Sequence, residues 1–296
     1  MTPDQILANP PKVISQDQRE AYFRDGYLLL ESFIDEAWLD RLWQVTETFI
    51  DQSREQNRSN AVFDLEDGHC ASAPRLRRLS HPVEQHPVYR EFAFEGPLVD
   101  LAEDLLGPDV VYHHSKLNFK WAGGGEEVKW HQDIQFWPHT NYSPLTFGLC
   151  LSDIDDAMGP MGVIRGSHKA ELFELCDEHG AWTGAISDED LVRVPLDNVV
   201  WLQGPRGSVT VHNCRMVHGS QPNQSERMRP LLLHTYAAAD ALPVTDMVAK
   251  LSHSETIVRG QRAQWIDFDP RSCPNPPDFS KGYTSIFEVQ QREQNR

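Results

Sequence analysis

From Val110 onward the chain breaks into short runs rich in valine, threonine and aromatic residues: "VVYHHSKLNFKW", "PLTFGLCLSDI", "NVVWL", "SVTVHNCRMVH" and "RPLLLHTYAA". Clusters of Gly, Pro, Asn and Asp bound each run. β-Branched and aromatic residues suit a half-buried pleated surface, and the bounding residues suit tight turns, so the spacing predicts an all-β barrel or sandwich. The texture before Val110 is different. Ser15 followed by Gln18 is a capping-box pattern, opening a short helix that Gly26 can close, and "YLLL" then reads as a strand. From Glu36 to about Gln56, residues Trp38, Leu39, Leu42, Trp43, Val45, Phe49 and Ile50 recur at helical spacing, which predicts one apolar face with its tryptophans in the core. A further helix is expected from Pro97 to Leu106, ended by Gly107. Residues 1–13 are polar and proline-containing and are expected to be loose. No repeat, low-complexity tract or linker interrupts the chain, so one mainly β domain buttressed by N-terminal α-helices is expected over residues 1–296.

The formal charge of −17 argues against nucleic acid or an anionic membrane as partner, because both are repelled at long range. The five cysteines, Cys70, Cys150, Cys176, Cys214 and Cys273, form no Cys-X-X-Cys pair, which speaks against a zinc knuckle or a disulfide framework and fits a reducing compartment. The first residues, "MTPDQILANPP", lack a basic segment followed by an apolar core, and no run approaches the length of a membrane helix. A cytoplasmic protein acting on small molecules is the expectation.

The stretch "VKWHQDIQFWP" places His131 and Asp133 two apart in an apolar, aromatic run. In a β-strand both would share one face, with Gln132 on the other. The pair fits either a hydrogen-bonded polar couple at a strand end or one imidazole and one carboxylate of a metal site. A second imidazole from elsewhere would complete the two-histidine, one-carboxylate triad that leaves positions open on iron. His218-Gly-Ser220 ends a strand, "QPNQSER" reads as a turn, and the next strand begins near Arg229, so a hairpin is expected to carry His218 and Arg229 into one pocket. Iron with three protein ligands needs a bidentate co-substrate, and a guanidinium suits the distal carboxylate of 2-oxoglutarate.

These residues, with "HHSKLNFK", "WHQD", "GPMGVIRGSHK" and "VHGSQPNQSERMR", resemble the phytanoyl-CoA dioxygenase family over most of the chain. The resemblance implies a double-stranded β-helix, the jelly roll of cupin-like barrels. It also implies hydroxylation of a small-molecule substrate with iron(II), 2-oxoglutarate and O2, releasing succinate and CO2. Carried over residue by residue, His131, Asp133 and His218 correspond to iron ligands, Arg229 to the carboxylate clamp and Ser220 to its hydroxyl partner. "HHSKLN" resembles the matching strand of ectoine hydroxylase, which implies that Asn118 and His114 face 2-oxoglutarate. Their shared parity agrees. Arg165 and Ser208 depart from the family's usual proline and aspartate at those positions.

Trp137 shares the parity of His131, so in an uninterrupted strand it looks toward the pocket mouth as a substrate contact. Arg165 and the cluster Arg75, Arg77 and Arg78 are further candidates for an anionic substrate, set against the plainer reading of solvated charge. His113, His139, His168, His212 and His234 are read as structural or supporting, and Arg227 as the residue nearer the turn and solvent. Asp133 occupies the position that a halogenase must vacate. Competing readings are a non-catalytic metal-binding jelly roll, a cupin-type isomerase or hydrolase, and an acyl-CoA hydroxylase. The last is disfavoured by the negative charge of the chain.

Overall fold

The computed structural model describes residues 1–245, 251–279 and 285–294. Among these residues twelve strands form two antiparallel sheets. The larger runs β1 (Tyr27–Leu30), β9 (Val209–Asn213), β6 (Leu145–Cys150), β11 (Arg229–Ala238), β4 (Val110–Lys120), β3 (Leu76–Ser80), β2 (Phe63–Leu65), with β12 (Thr256–Arg259) also on β4. The smaller runs β5 (Val128–His131), β10 (His218–Ser220), β7 (Met161–Ile164), β8 (Val199–Leu202). From β4 to β11 the chain passes back and forth between the two sheets, with only β7 and β8 consecutive in one, and this makes it the double-stranded β-helix that the resemblance implied.

The expected hairpin is not there. β10 pairs with β5 and β7, whereas β11 pairs with β4 and β6, so the turn "QPNQSER" carries the chain from one sheet to the other. A turn signal says that the chain reverses, but the partner that each strand takes is decided by which face has apolar surface to bury. The crossing still directs His218 and Arg229 into the same interior.

The expected helices form. Helix α2 (Gln16–Asp25) starts with the Ser15–Gln18 capping box and stops at Gly26, whose φ of 85° is the left-handed conformation that favours glycine. Helix α3 (Glu36–Ser53) buries Leu39, Leu42, Phe49 and Ile50, and α5 (Pro87–Glu95) and α6 (Pro97–Leu106) join it against the larger sheet. Along β4, Leu117 and Phe119 enter this apolar layer, leaving Lys116, Asn118 and Lys120 for the barrel interior.

Residues 1–13 are not loose. Helix α1 (Pro3–Leu7) has its own capping box at Thr2 and Gln5, and the N–H groups of Lys12, Val13 and Ile14 donate to the Asp104 carboxylate at 2.7, 2.9 and 3.1 Å. A single acceptor on α6 satisfies three backbone donors, which polar composition alone does not reveal.

Candidate active site

Strand pairing brings the two candidate histidine ligands together. His131 ends β5, His218 opens β10, and the antiparallel register sets them opposite one another with ring centroids 4.1 Å apart. Gly219 permits this approach: a Cβ there would lie 2.9 Å from the Val128 carbonyl oxygen and 3.2 Å from the Trp130 ring. Beyond His131 the strand stops. Gln132 is still extended and turns outward, its amide donating to the carbonyls of Glu171 and Arg215, and Asp133 then opens a 3₁₀ turn, Asp133–Gln135. Asp133 Oδ1 lies 3.6 Å from His131 Nε2 and 3.9 Å from His218 Nε2. One donor atom from each residue lies within 4.8 Å of the others, and all three side chains are buried.

Hydrogen bonds set the faces of these groups. His131 Nδ1 is 2.8 Å from the Lys129 carbonyl and His218 Nδ1 is 2.9 Å from that of Met216. A ring nitrogen facing a carbonyl carries the proton, so both Nε2 lone pairs turn toward Asp133, the orientation that metal-ligating histidines need. The other carboxylate oxygen of Asp133 lies 3.4 Å from His212 Nε2 and 3.5 Å from the Thr146 hydroxyl. Burial pushes the Asp133 pKa up, but the charge of Lys116, the nearby His218 and hydrogen bonds from His131 and His212 hold the carboxyl well below its usual range. Burial, with His131 and His212 close by, pushes His218 well below the ordinary imidazole value, toward the neutral form that ligates. Two imidazoles with Nε2 turned inward and one carboxylate on one side of a point fit iron(II) and leave its other positions open.

The remaining walls come from the inner face of the larger sheet, in rows set by register. His212 and Thr146 line the cavity in one row, which Thr235 and His114 continue in register outside it; Leu233 pairs with Lys116 in the next, Leu231 with Asn118 and Arg78 in the third, and Arg229 with Lys120 in the last. Arg229 is buried and has no hydrogen-bond or ion-pair partner among the described residues; its Nε in particular is buried and unpaired. Burial pushes its pKa down to about 10, which leaves it charged at neutral pH. Lys120 Nζ donates to the Ser220 hydroxyl at 2.7 Å and to the Gln221 carbonyl, and Arg78 Nε donates to Asn118 Oδ1 at 2.8 Å. Lys116 is half-buried, faces Asp133 and makes no hydrogen bond or close ion pair among the described residues. The cavity between these groups measures about 60 Å³.

His131, Asp133, His218, Arg229, Ser220 and Asn118 therefore converge as expected. Four other candidates do not. His114 turns toward His113, with the two Nδ1 atoms 2.6 Å apart, and stacks edge-on to Trp137. Trp137 lies beyond the 3₁₀ turn that breaks the strand parity, and packs among the rings of His113, His114 and His139. Arg165 is exposed and bonded to the Tyr27 hydroxyl at 3.2 Å. Arg75 pairs with Glu66 at 2.8 Å outside the cavity. Its neighbours are no solvated face: Arg77 and Arg78 are buried, and Arg78 reaches the cavity wall. Lys116 and Lys120 also escaped notice, although their parity with Asn118 carried the signal. His212 had no local signal, since its tie to Asp133 depends on the pairing of β6 with β9.

A jelly roll with a buried histidine–aspartate–histidine cluster at one end of its cavity and an unpaired arginine at the other defines an iron- and 2-oxo-acid-dependent oxygenase. Residues 22–231 match the family described as phytanoyl-CoA dioxygenase (PhyH). The chain is 33% identical over 235 residues to a probable alpha-ketoglutarate-dependent hypophosphite dioxygenase of Stutzerimonas stutzeri, covering 78% of this chain and 81% of that one. It is 32% identical over 238 residues to L-proline trans-4-hydroxylase of Streptomyces griseoviridis, covering 74% and 85%. The crystal structure of EctD from S. alaskensis with bound iron shares the fold at a TM-score of 0.69 and 23% identity, covering 86% of this chain and 90% of that one. The protein belongs to the phytanoyl-CoA dioxygenase family and is an iron(II)- and 2-oxoglutarate-dependent dioxygenase that uses O2. Among the described residues no helix is long and apolar enough to cross a membrane.

Proposed function

We propose that residues 1–296 form one catalytic domain that oxidises a small, anionic metabolite, most simply by hydroxylating an unactivated C–H bond. In this reading His131 Nε2, Asp133 Oδ1 and His218 Nε2 hold iron(II). Arg229, with the Ser220 hydroxyl held beside it by Lys120, takes the distal carboxylate of 2-oxoglutarate, and Asn118 lines its path. Bound iron supplies the oxidation, in which 2-oxoglutarate and O2 leave as succinate and CO2 with one oxygen atom delivered to substrate. The protein's own work is to orient. The carbonyls of Lys129 and Met216 fix the two imidazoles, His212 and Thr146 restrain the second carboxylate oxygen, and the buried wall excludes water.

The observation that carries the substrate class is Lys116, which lines the same space as Asp133, has no hydrogen bond or close ion pair among the described residues, and is kept charged against its burial by Asp133. One cation, Arg229, suffices for the distal carboxylate. A second beside the metal end is costly to desolvate unless an anion neutralises it. The relatives that act on hypophosphite and on L-proline support a compact substrate. The five free cysteines support a reducing, cytoplasmic setting. The test is succinate formation with iron(II), ascorbate, 2-oxoglutarate and O2 over a panel of small carboxylates, amino acids and phosphorus oxyanions, set against neutral and cationic analogues and an acyl-CoA. Stimulation by small anions, with KM raised by Lys116→Met, is expected. Stimulation by cations or by the acyl-CoA alone would overturn the class.

A further inference from the structure

The cavity has one wall of different origin from the rest. Arg78, Lys116, Asn118, Val128, His131, Thr146, Met161, His212, His218, Arg229 and their neighbours belong to barrel strands, and Asp133 to the turn after β5. Among the described residues, Ile286 alone comes from elsewhere, from helix α8 (Ile286–Gln294). This helix lies beyond the stretch that matches the family. Phe287, which is buried, sits under two cations, with the guanidinium carbons of Arg77 and Arg78 each 5.4 Å from its ring centre. Gln290 accepts from the Lys129 N–H at 2.9 Å and donates to the Gly184 carbonyl at 2.9 Å, and Arg77 donates to Gln291 at 3.1 Å. The short helix is thus fastened to the strand that carries His131 and to the strand that carries Arg78.

The size of the cavity makes this arrangement consequential. An apolar cavity of about 150 Å³ accepts benzene. The space here, about 60 Å³, is less than half of that, and 2-oxoglutarate has more atoms than benzene. Something must therefore retreat. The strands on either side are held by their backbone ladders, so displacing one breaks several hydrogen bonds together. Helix α8 joins neither sheet's ladder and is fastened through side chains, among them Gln290, Gln291 and the Phe287 ring against Arg77 and Arg78.

We propose that α8 is a movable wall of the co-substrate pocket, which swings outward to admit 2-oxoglutarate and returns with Ile286 against the bound dicarboxylate and Phe287 bracing Arg78. The inference rests on the reading that this pocket takes 2-oxoglutarate through Arg229. In the closed state Ile286 supplies an apolar cover that slows co-substrate release. Phe287 is a positioning residue: through Arg78 it holds the Asn118 amide, whose oxygen accepts from the Arg78 Nε.

The test uses the full-length protein with Mn(II) in place of iron and without O2, so that binding is read apart from turnover. Hydrogen exchange is followed over residues 285–294, and 2-oxoglutarate dissociation is followed by stopped flow. Adding 2-oxoglutarate to the Mn(II) protein should slow exchange in α8 severalfold. Ile286→Ala and Phe287→Leu should each speed dissociation by roughly tenfold, which corresponds to about 1.4 kcal/mol of lost contact. Both variants should remain folded, with a lowered melting temperature, and their Mn(II) affinity should stay near wild type. Both results are required: exchange in α8 that ignores 2-oxoglutarate, or unchanged dissociation in both folded variants, overturns the proposal. Arg229→Gln is the control arm. If it weakens 2-oxoglutarate binding while the α8 variants do nothing, only the movable wall fails; if it leaves binding intact, the assignment of the pocket itself fails.

Discussion

The two ends of the cavity are built on opposite principles. At the metal end every ligand-bearing side chain is already satisfied on its far side: His131 and His218 by backbone carbonyls, Asp133 by His212 and Thr146. At the carboxylate end Arg229 is buried with an unpaired Nε and no hydrogen-bond or ion-pair partner among the described residues. The first end is preorganised and can exist without its ion, because its groups can be neutral or hydrogen-bonded. The second carries desolvated charge that only a ligand can neutralise, which costs stability in the empty protein and returns as affinity when the anion binds.

The sharpest way to break this contrast is to remove Asp133. Asp133→Ala should abolish turnover and reduce iron to substoichiometric levels while the fold survives, and near-normal succinate formation with stoichiometric iron would refute the triad. At the other end, Arg229→Gln should weaken 2-oxoglutarate binding by roughly ten- to hundredfold, the worth of a charge-assisted pair of about 1.5–3 kcal/mol. Arg227→Gln should do far less, because Arg227 is exposed and pairs with Asp155. The reverse ranking in a titration would exchange the two assignments. The contrast also predicts that Arg229→Met raises the melting temperature of the empty protein, since an unpaired buried cation is replaced by an apolar chain.

A smaller effect is expected behind the metal. His212→Leu leaves the second Asp133 oxygen with Thr146 alone, and iron affinity should fall by about tenfold, the low end of what lost supporting contacts cost metal sites. Equilibrium dialysis against iron(II) checks it, and an unchanged affinity would mean that Thr146 suffices. The smallest kinetic effects belong to Arg165 and Arg75. Arg165→Gln should change KM for substrate and co-substrate by no more than about twofold, in line with surface changes worth ~0.5 kcal/mol.

Arg75→Gln should instead alter the pH dependence of stability. Burial raises the Glu66 pKa from 4.5 to about 7, against the opposing pull of Arg75. The folded state therefore keeps a proton that the unfolded chain releases near 4.5, and stability falls as pH rises through that window. Without Arg75 the fall should continue to higher pH at the same slope, because one carboxyl accounts for at most one proton. Melting temperatures recorded from pH 4.5 to well above 7 decide, and a fall that ends at the same pH as in wild type would detach Arg75 from Glu66.

Local chemistry made much of the protein legible in one dimension. The capping box at Ser15 and Gln18, the closing Gly26, the apolar stripe of α3 and the turn-bounded β runs each act through neighbours a few residues away, so the sequence by itself determined those elements. His131, Asp133, His218 and Arg229 were legible because iron and a dicarboxylate demand particular residue types in a particular order. Tertiary structure decided the rest. Trp137 left the pocket because the strand ends before Asp133, and a strand's end depends on what pairs beside it. Arg75, Arg77 and Arg78 look alike in sequence, yet only Arg78 lies in register with Asn118 and reaches the cavity. His212 became a partner of Asp133, and Ile286 a wall of the site, through contacts between segments far apart in the chain, where register and packing rather than residue type set the neighbour.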